Sequence, residues 1–338
     1  MTGSSDGDEM LVLSEEDVRR SVDMPAAIGA VRRAFERLSS GRARVPVRQA
    51  LGGEGGDVLF MPGRLDGPAR IGAKAVSVYP GNADRGLAPV NAALLLVDPE
   101  TGRARALLAA NHLTALRTGA ASGVATDLLA REDASVLALF GAGTQARTQL
   151  EAVAAVRELT EVRVVSRGGD SARRLARERS GAGLRIRAVD EPVDALRGAD
   201  IVVAATDSSS PVFAGRDVEP GAHVNGVGSY RPDMQEVDAA LVGRATVVVD
   251  ERNAVLEEAG DLIVPIRAGE FSAEEIHAEI GEVAAGDAPG RTGREEVTFF
   301  KSVGNVVQDL AGGGWPWRAR GSGGSGRGSR CSSAAVAA

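Results

Sequence analysis

Six short apolar runs between residues 135 and 250 constrain this chain more than any other feature. They are SVLALF (135–140), VRVVS (162–166), LRIRA (184–188), DIVVAA (200–205), AHVNGV (222–227) and ATVVVD (245–250). Helical stretches fill the first three gaps. Near-continuous apolar strands alternating with helices form a parallel sheet covered on both faces. The predicted fold class is α/β, with a Rossmann doubly wound parallel sheet.

The first run is followed by GAGTQA, which supplies Gly141, Gly143 and Ala146 and opens a helix. Gly141 permits a tight turn, Gly143 lets the backbone approach a pyrophosphate, and Ala146 allows close helix–strand packing. The N–H groups of Thr144 and Gln145 then lie at a helix N-terminus, where the dipole favours phosphates. The chain has 43 glycines, so the pattern carries weight only because a strand precedes it and a helix follows. An acid ~20 residues further on would bind a ribose 2′-hydroxyl. VVSRGGD stands there instead, with Ser166 and Arg167 at the strand tip. Without a carboxylate to repel a 2′-phosphate, NADP(H) is the preferred cofactor and NAD(H) the alternative.

The region before residue 117 reads differently. A capping-box-like Ser14-x-x-Asp17 starts one helix, and a longer one follows Asp23 and stops at Gly41. Residues 57–61 and 71–79 are strand-like, and 90–97 and 103–109 flank the hairpin turn DPETG. Asn111 is a candidate N-cap for an Ala-rich helix to about Ala130. FFKSVGNVVQDL near the end reads as an amphipathic helix. The expected order is a first region of helix and mostly antiparallel sheet, then the parallel-sheet dinucleotide domain, then a Gly/Ser-rich disordered tail (312–338).

Composition excludes several functions. A net charge of −7 argues against nucleic-acid binding. No apolar run reaches the ~18 residues of a bilayer span. The acidic N-terminus is no secretory signal, and the lone Cys331 rules out an intrachain disulfide framework, so a cytoplasmic location is expected. No metal-ligand spacing appears, and His112, His223 and His277 are scattered. Of 39 basic side chains only Lys74 and Lys301 are lysines. Lys74 interrupts the apolar strand of IGAKAVSVYPGN, where a lone buried ammonium is costly, so it is expected to face a cleft or a partner.

Hydride chemistry on an amino or imino acid needs cations for the carboxylate and a group that moves a proton at nitrogen. The candidates are Arg48, Lys74, Arg117 and Asp233, the last just past the fifth strand at the sheet's carboxyl edge. Arg48 and Arg117 also have surface readings in an Arg-rich chain, and Asp233 could merely cap a turn after Pro232.

At these motifs the chain resembles the ornithine cyclodeaminase/mu-crystallin family. The matching stretches are MPGRL (61–65), GAKAVSVYPGN (72–82), LVDPETG (96–102), LTALRTGAASGVAT (113–126), FGAGTQA (140–146), VGSYRPDMQE (227–236) and FFKSVGNVVQDLA (299–311). The resemblance implies a split α+β substrate and dimerisation domain (1–117 with 295–311) beside the dinucleotide domain (118–294), and homodimers joined through the first domain's sheet. It implies that Arg48, Lys74 and Arg117 hold the substrate carboxylate and that Asp233 serves in proton transfer. Thr118, Thr206 and Ser302 then match cofactor-contacting positions. Family chemistries include ornithine cyclodeamination, alanine dehydrogenation and reduction of cyclic ketimines, and crystallin relatives can hold NADPH without turnover. The cyclodeaminase pattern carries Gly-Lys-Thr-Glu after the aspartate, where this chain has Met234-Gln235-Glu236. Such an enzyme also needs an acid for the distal amine, and only Glu54 and Asp57 in a Gly-rich loop offer one. The expected reaction is therefore NAD(P)H-dependent reduction of a small 2-imino acid. Lys74 and Arg117 hold the carboxylate with Arg48 in support, and Asp233 or Lys74 assists protonation of the imine. A lysine titrates near ~10.4 but shifts with its surroundings, whereas arginine stays charged.

Overall fold

The computed structural model describes residues 10–313 apart from 68, 180 and 182. The tail from residue 314, with Cys331, lies outside the described residues. The chain divides into two compact units, one built from residues up to 23, 42–114 and 305 onward, the other from 24–41 and 115–304.

The second unit holds an eight-stranded sheet whose pairings are all parallel. Its spatial order is Arg185–Ala188, Glu161–Val165, Val136–Phe140, Ile201–Ala204, His223–Gly226, Thr298–Lys301, Thr246–Val249, Ala278–Glu279. Strand order reverses between Val136–Phe140 and Ile201–Ala204, which is the switch point of a doubly wound sheet. Along each central strand, successive side chains enter different cores. Leu137, Leu139, Ile201 and Val203 pack on one face, and Ala138, Phe140, Val202 and Ala204 on the other. Both faces are covered, so these strands carry no polar alternation.

Two strands of this sheet were not expected, Ala278–Glu279 and Thr298–Lys301. FFKSVGNVVQDL is not one helix: Thr298–Lys301 is a strand inserted between His223–Gly226 and Thr246–Val249, and the helix is Val306–Gly313. Residues 295–304 thus belong to the second unit, because four residues of sheet pairing on each side hold them there. The helix Met24–Ser39, expected with the first region, also lies in the second unit. Glycines at 119 and 123 of the long helix Asn111–Leu129 explain this. A Cβ at Gly123 would sit 2.7 Å from Ile28, and one at Gly119 would sit 2.6 Å from the Thr148 carbonyl oxygen, so both neighbouring helices approach the bare backbone. Asn111 is not an N-cap: its side-chain oxygen accepts from the Ala92 N–H at 2.6 Å and so ties the helix start to a strand.

The first unit is a seven-stranded, mostly antiparallel sheet. Leu11–Leu13 joins it in parallel beside Ala104–Ala109, followed by Val90–Val97, Arg70–Val78 and Gly56–Leu65. The Ser14–Asp17 capping box is present at the helix Glu15–Ser21. The register places Met61, Lys74, Leu94, Leu108 and Leu13 in one row across the sheet, all buried. Helix Val306–Gly313 covers this face: a Cβ at Gly72 would meet Leu310 at 2.9 Å, and Arg70 donates to the Leu310 and Ala311 carbonyls at its end. Among the described residues no helix is long and apolar enough to cross a membrane.

Candidate functional site

At the switch point of the second unit, Gly141 has φ +107°, a conformation open to glycine and strained for other residues. A Cβ there would collide with the Ala205 carbonyl oxygen, so this turn lies directly against the end of Ile201–Ala204. Gly143 is the N-cap of helix Thr144–Val156 and offers no side-chain cap, so the first N–H groups of Thr144 and Gln145 are free to meet an anion. A Cβ at Gly143 would have nothing within 4 Å. Ala146 is fully buried in the core beneath. A tight turn, an open approach and an uncapped helix start are what a dinucleotide pyrophosphate requires, so these residues fit the cofactor expected from the sequence.

The tip of Glu161–Val165 ends in Ser166, whose Oγ accepts from the Ala172 N–H at 3.0 Å and from Ser171 Oγ at 2.9 Å, capping the next helix. Arg167 is exposed, and Asp207 lies 3.7 Å from it. Thr206, following Ala205, donates from N (2.6 Å) and Oγ1 (2.8 Å) to Glu236.

Glu236 was not singled out by sequence reasoning, yet it lies at the centre of a buried network. Its second carboxylate oxygen accepts from the Gly228 N–H at 2.6 Å and the Ser229 N–H at 3.1 Å. Its own N–H and that of Val237 donate to Asp261, whose other oxygen pairs with Lys301 at 2.7 Å. Burial pushes the Glu236 carboxyl above the usual carboxylate range, the Asp261 charge adds to this, and Lys301 opposes it. Asp250 is a second missed acid. It accepts from Ser302 Oγ (2.7 Å), Val303 N (3.1 Å) and Gly304 N (2.7 Å), and burial pushes its carboxyl up. The Arg117 guanidinium lies against Gly304, in the space a Cβ would need. The backbone carbonyl of Thr118 accepts from Gln149 at 3.2 Å. Asp233 stands apart. Its side chain is 70% exposed and engages only Arg231 among the contacts seen here, at 3.1 and 3.2 Å.

In the first unit, Lys74 has no exposed surface, and its ammonium pairs with the equally buried Asp309 at 2.7 Å. Of the two expected surroundings, a cleft or a partner, the structure shows the partner: helix Val306–Gly313 brings a carboxylate onto the amine, and no surface of the lysine is exposed. Arg48 is half-buried and precedes Gln49, whose register partner Phe60 neighbours the Met61 of the Lys74 row. Asp309 and Asp250 had no local signal in the sequence, since Asp309 answers Lys74 235 positions away and Asp250 answers Ser302 52 positions away. His223 is fully buried, and burial holds its pKa at about 3.

Residues 8–313 match the family described as "Ornithine cyclodeaminase/mu-crystallin family". A Delta(1)-pyrroline-2-carboxylate reductase of Bacillus cereus is 40% identical over 307 residues, covering 89% of this chain and 94% of that protein. The structure of Thermococcus litoralis Delta(1)-pyrroline-2-carboxylate reductase in complex with NADH and L-proline matches with a TM-score of 0.89 at 39% identity, covering 91% of this chain and 97% of that one. An archaeal alanine dehydrogenase dimer with bound NAD matches with a TM-score of 0.89 at 35% identity, covering 96% and 99%.

Proposed function

The chain belongs to the ornithine cyclodeaminase/mu-crystallin family, and from that premise we propose that it reduces small cyclic or linear 2-imino acids to L-amino acids with NAD(P)H. The cofactor supplies hydride to the C=N carbon when bound. Gly141, Gly143, Thr144, Gln145 and Ala146 hold its pyrophosphate, with Thr118, Thr206 and Ser302 as further contacts. Arg48, Lys74 and Arg117 hold the substrate carboxylate, and Asp233 manages the proton at nitrogen.

The observation that carries the reductase reading over a cyclodeaminase one is the similarity to two Delta(1)-pyrroline-2-carboxylate reductases, at 40% and 39% identity, together with Met234-Gln235 where the cyclodeaminase pattern has Lys-Thr. The test is a dinucleotide-oxidation screen with Δ1-pyrroline-2-carboxylate, Δ1-piperideine-2-carboxylate and pyruvate plus ammonia, with L-ornithine beside them. Oxidation driven by the cyclic imines is expected. Ammonia release from L-ornithine without net cofactor turnover would overturn the reading.

Preference for NADP(H) rests on Ser166 and Arg167, which place no carboxylate at the strand tip. Ser166→Asp keeps the helix cap, because aspartate accepts from the Ala172 N–H as serine does. It also adds the charge that repels a 2′-phosphate. The ratio of kcat/KM for NADH over NADPH should rise about tenfold, which is about 1.4 kcal/mol, and an unchanged ratio would remove the 2′-phosphate argument.

The assembly is a homodimer joined through the first unit's sheet. The face opposite Lys74 exposes Phe60 and Leu107, at 41% and 36% relative exposure, an apolar surface that pairing would cover. A cytoplasmic location is supported by the single cysteine, Cys331.

A further inference from the structure

Lys301, Asp261 and Glu236 form a buried chain that ends on two loops at the carboxyl edge of the parallel sheet. Lys301 closes the strand Thr298–Lys301 and pairs with Asp261 at 2.7 Å, both fully buried. Asp261 holds the N–H groups of Glu236 and Val237. The Glu236 carboxylate then reaches in two directions. One oxygen fixes Thr206, after the strand Ile201–Ala204, and the other fixes Gly228 and Ser229, after the strand His223–Gly226.

The loop 227–237 is thereby pinned at both ends. Ser229 Oγ also donates to the Met234 carbonyl at 2.9 Å, closing the loop on itself. A Cβ at Gly228 would collide with the Thr206 carbonyl, and one at Gly260 with the Met234 carbonyl, so the stem has no slack. Between the pins stand Arg231, Pro232 and Asp233, all exposed.

We propose that Glu236, backed by Asp261 and Lys301, is a positioning residue that sets Thr206 for the dinucleotide and the Asp233 loop for proton transfer through one carboxylate. The inference rests on the reductase reading for the second half and on the dinucleotide site for the first. A glutamate is suited to it, since two oxygens accept four bonds, and an amide of the same size would present N–H groups to two donors. Because the carboxylate is fully buried and its four bonds all go to the two loops, its loss acts through them.

The test uses the full chain. In Glu236→Gln, NADH affinity read by fluorescence titration is expected to weaken about tenfold, and kcat on Δ1-pyrroline-2-carboxylate to fall at least as much, with the protein still folded by circular dichroism. In Ser229→Ala, which loosens only the Asp233 loop, NADH affinity is expected to hold while kcat falls about fivefold. A purely structural role would lower the melting temperature of both variants and leave this split absent. Wild-type NADH affinity in folded Glu236→Gln overturns the proposal. If that variant does not fold, wild-type kcat in Ser229→Ala overturns it. Should the wild-type protein reduce no imino acid, the reductase reading falls, and the NADH titration of Glu236→Gln still decides the Thr206 half.

Discussion

Lys74→Met is expected to lose both stability and turnover, and the two losses are expected to separate. The ammonium and the Asp309 carboxylate are each without exposed surface and 2.7 Å apart. Removing the cation leaves that carboxylate in a buried site without it, a change that costs about 3–5 kcal/mol. Adding Asp309→Asn removes the remaining buried charge, so urea unfolding of the double variant should recover most of the loss. Turnover should not recover. On the proposed role of Lys74 in holding the substrate carboxylate, losing the ammonium costs about two to three orders of magnitude in kcat/KM. Lys74→Arg should retain NADPH binding but lose most turnover, because a guanidinium stays protonated and cannot move the proton assigned to the amine. A stable double variant that turns over like the wild type would remove Lys74 from the mechanism.

The same pair explains why two lysines persist in an arginine-rich chain. Lys74 and Lys301 are both fully buried, and each meets an aspartate at 2.7 Å. The sequence marked Lys74 as anomalous, since a strand of apolar neighbours cannot bury an unpaired ammonium. It did not disclose the partner. Asp309 lies 235 positions away and Asp261 lies 40 positions from Lys301, and nothing in a linear pattern joins them.

Local chemistry was legible, and long-range complementarity was not. GAGTQA was readable because turn, approach and helix start are consecutive residues, and the structure gives each its geometry. The Ser14–Asp17 box and the 90–109 hairpin were readable for the same reason. The strand Thr298–Lys301 was missed because Phe299, Phe300 and Lys301 are all buried, so no period of two survives to distinguish it from a helix. Asn111 has the residue type of a cap, but its oxygen answers Ala92 across the sheet, a choice set by tertiary contact. Glu236 and Asp250 were overlooked because their donors are backbone N–H groups, which every sequence has and no motif displays.

Gly141→Ala and Gly143→Ala are expected to fail differently, and the difference locates the phosphate turn. At Gly141 the backbone holds φ +107°, and a Cβ meets the Ala205 carbonyl oxygen, which is backbone and cannot swing aside. Strain of about 1–3 kcal/mol is expected in denaturant melts. The switch-point loops must also part, so dinucleotide affinity should fall with stability. At Gly143 the φ is −79°, and a Cβ meets nothing within 4 Å. Alanine there should leave unfolding within about 0.5 kcal/mol of wild type. It should still weaken NAD(P)H binding by roughly ten- to a hundredfold, or about 1.4–2.8 kcal/mol, because the methyl projects where a pyrophosphate must reach the uncapped N–H groups. The pair isolates the ligand from the fold: the first change injures the turn itself, and the second injures only what approaches it. Fluorescence titration beside the melts reads both, and a Gly143→Ala protein that binds the dinucleotide as tightly as wild type would place the phosphates elsewhere.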